Sequence, residues 1–268
     1  MTQGAVGATF KQRVRAGEVL LGTFLQLASP LATEIVAQAG FDWLLVDLEH
    51  GSGSETTLLS DLQAMNGSPV RAIVRVESGE RLRIGRALDA GAHGIMVPRI
   101  VSADQAAQVA RYLRFPPQGV RGVALGTRGA GFGRVAVADV SRLNDEVLGI
   151  VQIETLESVE SVEAIAAVDG ADVLFIGPSD MSVALGIPGQ LDHPRFRDAL
   201  ERVLDAARRH NKAVGTLLRN AQEVEAATRQ GITFVGISSE ASLLANAVRT
   251  LARDARAAVS VPVAQVSS

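Results

Sequence analysis

The chain of 268 residues contains no cysteine. This excludes a disulfide framework, a thiolate zinc site, a cysteine nucleophile and an iron–sulfur cluster. Aromatics are scarce, with eight Phe, one Trp and one Tyr. Charge of either sign is not in excess, with 26 Lys and Arg against 29 Asp and Glu. A nucleic-acid binder needs a basic face and stacking platforms, so no nucleic-acid partner is expected. No apolar run approaches the ~20 residues that span a bilayer. Lys11, Arg13 and Arg15 interrupt the first segment before an apolar signal region could form. The expectation is a cytoplasmic protein without a membrane partner.

What the chain does have is Val, Ile, Leu, Ala and Gly. Eight short apolar runs read as strands: 20–27, 43–49, 71–76, 94–98, 148–154, 172–177, 213–218 and 233–238. Their apolar character is nearly continuous, as in parallel strands covered on both faces. Segments with helical spacing lie between them, over 30–39, 56–65, 81–90, 103–113, 159–168, 196–210 and 221–230. Ser29 before Pro30 and Ser102 before Ala103 are helix starts, and Gly40, Gly91, Gly170 and Gly231 are stops. Eight strands alternating with helices predict an α/β fold, a (β/α)₈ TIM barrel over residues 1–258, with 259–268 as a flexible tail. A doubly wound open sheet is disfavoured, because no dinucleotide-type glycine fingerprint follows the first strand. Residues 115–145 break the rhythm with the Gly- and Arg-rich stretch PPQGVRGVALGTRGAGFGR and read as a long loop. Such a loop could cradle phosphate, lie on the surface or meet a neighbouring subunit.

In this architecture chemistry gathers at the C-terminal ends of the strands. Polar residues stand there: Asp47, Glu49 and His50 after the second strand, Arg75 on the third, Gln152 and Glu154 on the fifth, Ser179 and Asp180 after the sixth. Asp47 to Arg75 spans 28 residues and Glu154 to Asp180 spans 26, about one βα unit each. Two carboxylates at neighbouring strand ends repel unless a cation or proton sits between them, which suits a hard divalent ion. A general acid/base pair is the other chemical reading. The structural alternative is a helix N-cap for Asp180 and a solvent-facing Glu154. His50 is the best base candidate among four histidines. Of the others, His93 reads as a turn residue, His193 as a helix start and His210 as a helix end. Arg75 on an apolar strand asks for an anion, either a substrate oxyanion or a structural partner such as Glu49 or Glu154.

The phrases GFDWLLVDLEH, IVRV, RALDAGAHGIMVPRI, RFPPQGVRGVA, VQIET and FIGPSDMSVALG, in this order, resemble the HpcH/HpaI aldolases, the 4-hydroxy-2-oxoheptanedioate aldolase family. The resemblance covers roughly residues 18–255. It implies a class II pyruvate aldolase with Mg²⁺, Mn²⁺ or Co²⁺ on Glu154 and Asp180, chelated by pyruvate. It implies that Arg75 stabilises an enolate, that His50 moves protons with Asp89 as its partner, and that Gln152, Ser179 and Asp180 lie at the pyruvate. Asp47 belongs to the same substrate-binding set. It further implies a homo-oligomer, trimeric or hexameric, whose last helix is exchanged between subunits. From the residues alone, Asp89 falls at a helix C-terminus, on the opposite face of its own barrel. The chain departs from the family in reading Asp-Leu-Glu-His then Gly-Ser-Gly, where several members read Asp-Gly-Glu-His then Ala-Pro-Asn. The expected reaction is reversible cleavage of a 4-hydroxy-2-oxo acid to pyruvate and an aldehyde. An acyl-CoA lyase of the malyl- or citramalyl-CoA type is the alternative enzyme, and a non-catalytic acid-binding barrel the alternative class.

Overall fold

The computed structural model describes residues 8–259. Eight parallel strands close into a barrel in sequence order, with the last pairing the first. They are β1 (Leu20–Leu25), β2 (Trp43–Asp47), β3 (Arg71–Arg75), β4 (Gly94–Val97), β5 (Leu148–Ile153), β6 (Val173–Ile176), β7 (Ala213–Leu218) and β8 (Phe234–Ser239). Seven lie within a run expected from the sequence, and β8 extends one residue beyond its run, to Ser239. The proposed tail lies outside the described residues apart from Val259.

The outer layer begins with α1 (Phe10–Arg15), then α2 (Pro30–Ala37), α3 (Glu55–Ala64), α4 (Arg81–Asp89) and α5 (Ala103–Leu113). It continues with α6 (Leu156–Glu160), α7 (Val162–Ala166), α8 (Pro178–Ala184), α9 (Pro194–Arg209), α10 (Val224–Arg229) and α11 (Glu240–Val259). None of these helices is long and apolar enough to cross a membrane.

Two apolar layers make the core. One fills the space between strands and helices. The other fills the barrel itself, where Trp43 stacks on Phe234 with ring centroids 4.3 Å apart. A side chain at Gly22 would run into the Trp43 ring, so this glycine makes room for the indole. Helix α1 plugs the N-terminal end of the barrel with Phe10 and Val14. Its Lys11 is buried, 3.0 Å from Asp172 and donating to the Val147 carbonyl at 2.8 Å. A buried cation is tolerated only when paired in this way.

Three sequence expectations need correction. The single helix at 159–168 is two short ones, because Ser161 leaves the helical path between α6 and α7. The helix at 221–230 begins as a 3-10 turn over Ala221–Glu223, capped by Asn220. The 115–145 segment is not a plain loop: it holds 3-10 turns at Arg128–Ala130 and Val137–Asp145. Asn144 fastens it from within, accepting the Phe115 N–H at 2.8 Å and donating to the Phe115 carbonyl at 3.1 Å.

Candidate active site

The closed sheet delivers the polar strand ends to one mouth. Asp47 and Arg75 are register partners on β2 and β3. Asp47 Oδ1 accepts from Arg75 Nε at 2.9 Å and Oδ2 from Nη2 at 2.6 Å. Asp47 also accepts from Gln26 Nε2 at 3.0 Å and from the backbone N–H groups of Glu49 and His50 at 3.1 and 3.2 Å. Burial pushes the Asp47 carboxyl up, but the Arg75 bonds and charge, Gln26 and the His50 N–H outweigh it and hold it below the usual range. The carboxylate is therefore ionised and anchors the arginine. The structural pairing considered for Arg75 is also present with Glu49, at 3.1 Å from Nη1. Phe24 lies under the guanidinium, 5.3 Å from Cζ to ring centroid.

Gln152 links the arginine to the second half of the site. Its Oε1 lies 3.4 Å from Arg75 Nη1 and its Nε2 donates to Glu154 Oε2 at 2.8 Å. Glu154 stands just past β5 and is buried, 4% exposed, which corrects the solvent-facing alternative. Its Oε1 accepts the Arg99 N–H at 2.8 Å. Arg99 adopts φ 54°, the left-handed region that costs a non-glycine residue about 1–2 kcal/mol. That strain sits beside the carboxylate it serves. A Cβ at Gly177 would lie 2.7 Å from Glu154 Oε2, so glycine is required for the carboxylate to reach this position.

Asp180 is the third residue of α8, whose N-cap is Gly177. It is therefore not the helix N-cap that the sequence left open. Burial pushes the Glu154 carboxyl up; the Arg99 N–H pulls it down, and the Asp180 and Glu49 charges push it up again, leaving it above the usual range. Burial also raises Glu49, with Arg75 and His50 acting against it. The site is thus short of positive charge, and its available donors are oxygens. That donor set fits a hard divalent ion such as Mg²⁺, and also Mn²⁺ or Co²⁺. Among the described residues, no group of three or more His, Asp or Glu gathers to hold a metal. Glu154 and Asp180 would supply two ligands and leave the other positions to water and substrate.

A cleft of about 940 Å³ opens over this network, lined by His50, Arg75, Gln152, Ser179 and Asp180 among others. The His50 side chain is exposed, with Nε2 3.7 Å from Glu49 Oε2. Asp89 is not brought into this group. It ends α4 at the opposite end of the barrel and pairs with Arg121 at 2.9 Å. The sequence reading missed Gln26, Arg99 and Glu240. Glu240 opens α11 and accepts the N–H groups of Gln26 and Leu27 at 2.6 and 2.7 Å, fixing the end of β1 that aims Gln26 at Asp47.

The sequence model of the HpcH/HpaI aldolase/citrate lyase family matches residues 20–247. The chain belongs to this family. It is 38% identical to the 5-keto-4-deoxy-D-glucarate aldolase of Klebsiella pneumoniae over 243 residues, 91% of this chain and 94% of that one. It is 35% identical to the 4-hydroxy-2-oxo-heptane-1,7-dioate aldolase of Escherichia coli over 244 residues, 91% and 93% of the two chains. A crystal structure of an HpcH/HpaI aldolase/citrate lyase family protein from Burkholderia cenocepacia superposes with TM-score 0.87 at 38% identity, covering 92% of this chain and 98% of that one. The family resemblance expected from the six phrases holds, and so does the barrel. The chain is a carbon–carbon lyase, as its named HpcH/HpaI relatives are.

Proposed function

We propose that the protein is a divalent-metal-dependent aldolase that reversibly cleaves a 4-hydroxy-2-oxo acid to pyruvate and an aldehyde. The observation that carries this reading is the continuous chain Asp47–Arg75–Gln152–Glu154, which places a fixed cation beside a buried carboxylate at the mouth. The named aldolase relatives support it. Glu154 and Asp180 would hold the ion, which when bound supplies Lewis-acid polarisation of the C2 carbonyl.

This chain's own groups do the rest. His50 takes the proton of the C4 hydroxyl through its exposed ring. The C4–O bond becomes the aldehyde carbonyl, the C3–C4 bond breaks, and its electron pair moves to the C2–C3 enolate. Arg75 carries the developing charge, and because Asp47 and Phe24 already hold it, little reorganisation is needed. Return of the proton held on His50 to C3 then yields pyruvate and restores the neutral imidazole. Gln152 orients Arg75 and Glu154 together, and Ser179 with Asp180 borders the carboxylate end of the substrate.

Assembly belongs to the same reading. Leu243, Leu244, Val248 and Leu251 on α11 are 52–71% exposed, an apolar stripe that a soluble chain does not leave open. It packs on a neighbouring subunit in the proposed homo-oligomer. Pyruvate release from a 4-hydroxy-2-oxo acid, with and without a chelator, tests the function; a metal-replete enzyme releasing none refutes it.

A further inference from the structure

The barrel has a second cleft at its N-terminal end, away from the mouth. Its volume is about 550 Å³, and its walls come from the end of α3, the start of β3, the turn before β4 and the Gly/Arg segment after α5. Arg71, Arg121, Arg128 and Arg134 line it together with His93, and Glu146 is the one acid among its described lining residues. Set against Glu146 and the Asp89 that pairs Arg121, the four arginines leave two positive charges uncompensated.

Arg121 is the decisive residue. Its side chain is 7% exposed. One end donates to Asp89, and the guanidinium lies over Phe115 with Cζ 4.5 Å from the ring centroid. Its Nε has no hydrogen-bond partner among the described residues. Buried donors are almost always satisfied, so an orphan on a buried cation beside a cleft marks a missing acceptor. Arg134, by contrast, is exposed on the cleft wall and has no ion-pair partner among the described residues. Arg128 is spent on the Leu62 carbonyl and Asn66 Oδ1, and so fixes the wall. The segment is seated firmly: a Cβ on Gly129 would strike the Leu88 carbonyl at the end of α4.

The field in the cleft agrees with the geometry. The His93 ring keeps contact with solvent, yet crowding by the wall, and after it the Arg71 and Arg128 charges, pushes the imidazole down to about 4. The part of this shift that comes from Arg71 and Arg128 reports the positive potential of the wall, which favours an anion.

We propose that this cleft is an anion site for a small oxyanion carrying two negative charges, a phosphate ester or a dicarboxylate, held by Arg121, Arg134 and Arg71. Arginine forks match both kinds of oxyanion. The site is separate from the catalytic mouth and does not depend on the aldolase reading.

Hydrogen–deuterium exchange on the whole protein, titrated with inorganic phosphate and in parallel with succinate, is the test. Peptides covering 119–134 and 66–72 should gain saturable protection, with a midpoint on the order of 1 mM. Response to phosphate alone assigns a phosphate ester, and response to succinate alone a dicarboxylate. Arg134→Gln should raise the midpoint about tenfold, the loss of one charge-assisted bond, and Arg121→Gln at least as much. Arg134 is exposed, so its variant keeps the test decisive if Arg121→Gln fails to fold. Three results overturn the proposal: no protection by either anion, equal protection by chloride at matched ionic strength, or unchanged midpoints in Arg134→Gln. A midpoint shared with peptides at the mouth would assign the anion to the mouth and overturn it as well.

Discussion

Asp47 and Arg75 face each other in register on neighbouring strands and are joined by two hydrogen bonds, at 2.9 and 2.6 Å. The pair is buried, so the arginine's direction is set before any substrate arrives. Replacing Arg75 by Ala should lower turnover about 10²–10³-fold, roughly 2.7–4 kcal/mol, the usual loss for one preorganised oxyanion partner. Arg75→Lys should recover little, because an ammonium cannot reproduce the planar fork that Asp47 grips. Deuterium exchange at the pyruvate methyl group reads this step directly. Near-normal exchange in Arg75→Ala would make the arginine structural.

Gly177→Ala makes a finer test of the second half of the site. The added methyl would sit 2.7 Å from Glu154 Oε2 and must displace that carboxylate. Divalent-ion affinity, measured by calorimetry, should fall about 10–100-fold, the range seen when a ligand's support is disturbed. Unchanged affinity in a folded variant would remove Glu154 from the ligand set.

These two sites show what a sequence can and cannot reveal. The strand ends were legible because a barrel fixes both the βα repeat length and the end where polar residues gather. Asp47 and Arg75, 28 residues apart, became register partners for that reason. The links between them were not legible. Gln26 reaches Asp47 only because Glu240, 214 residues later, holds the β1 end. Arg99 serves Glu154 through its backbone N–H, which no side-chain motif encodes. Helix α1 was missed because it is six residues long, and its Thr9–Gln12 capping box sits in a basic stretch that reads as polar. The 115–145 segment carried Gly and Arg signals but no helical period, since its helical turns are 3-10.

The last helix tests assembly. Its apolar residues stay exposed on one chain, so truncation after Glu240 should give monomers or aggregates with little activity. Size-exclusion chromatography with light scattering reads the outcome. An intact chain that is a monodisperse, fully active monomer would contradict the subunit contact.

His93 predicts an acid sensitivity unrelated to catalysis. Its folded value of about 4 lies below the ordinary 6.5 although the ring keeps contact with solvent; crowding by the surrounding wall is the main cause, and Arg71 and Arg128 add to it. Between these values the unfolded chain binds the proton more readily, so this group's contribution is full above pH ~6.5 and is lost as pH falls towards ~4. His93→Gln should flatten the fall of Tm between pH ~6.5 and ~4, measured by calorimetry. An identical pH profile in the variant would show that His93 stays protonatable in the fold.

Pyruvate release from a 4-hydroxy-2-oxo acid, followed before and after verified removal of divalent ions, goes to the heart of the proposed chemistry. Activity should vanish with the ion and return on adding Mg²⁺ or Mn²⁺, while Glu154→Gln and Asp180→Asn, both folded, should stay inactive under either condition. Full turnover in a chelator, with elemental analysis showing no metal, would contradict it.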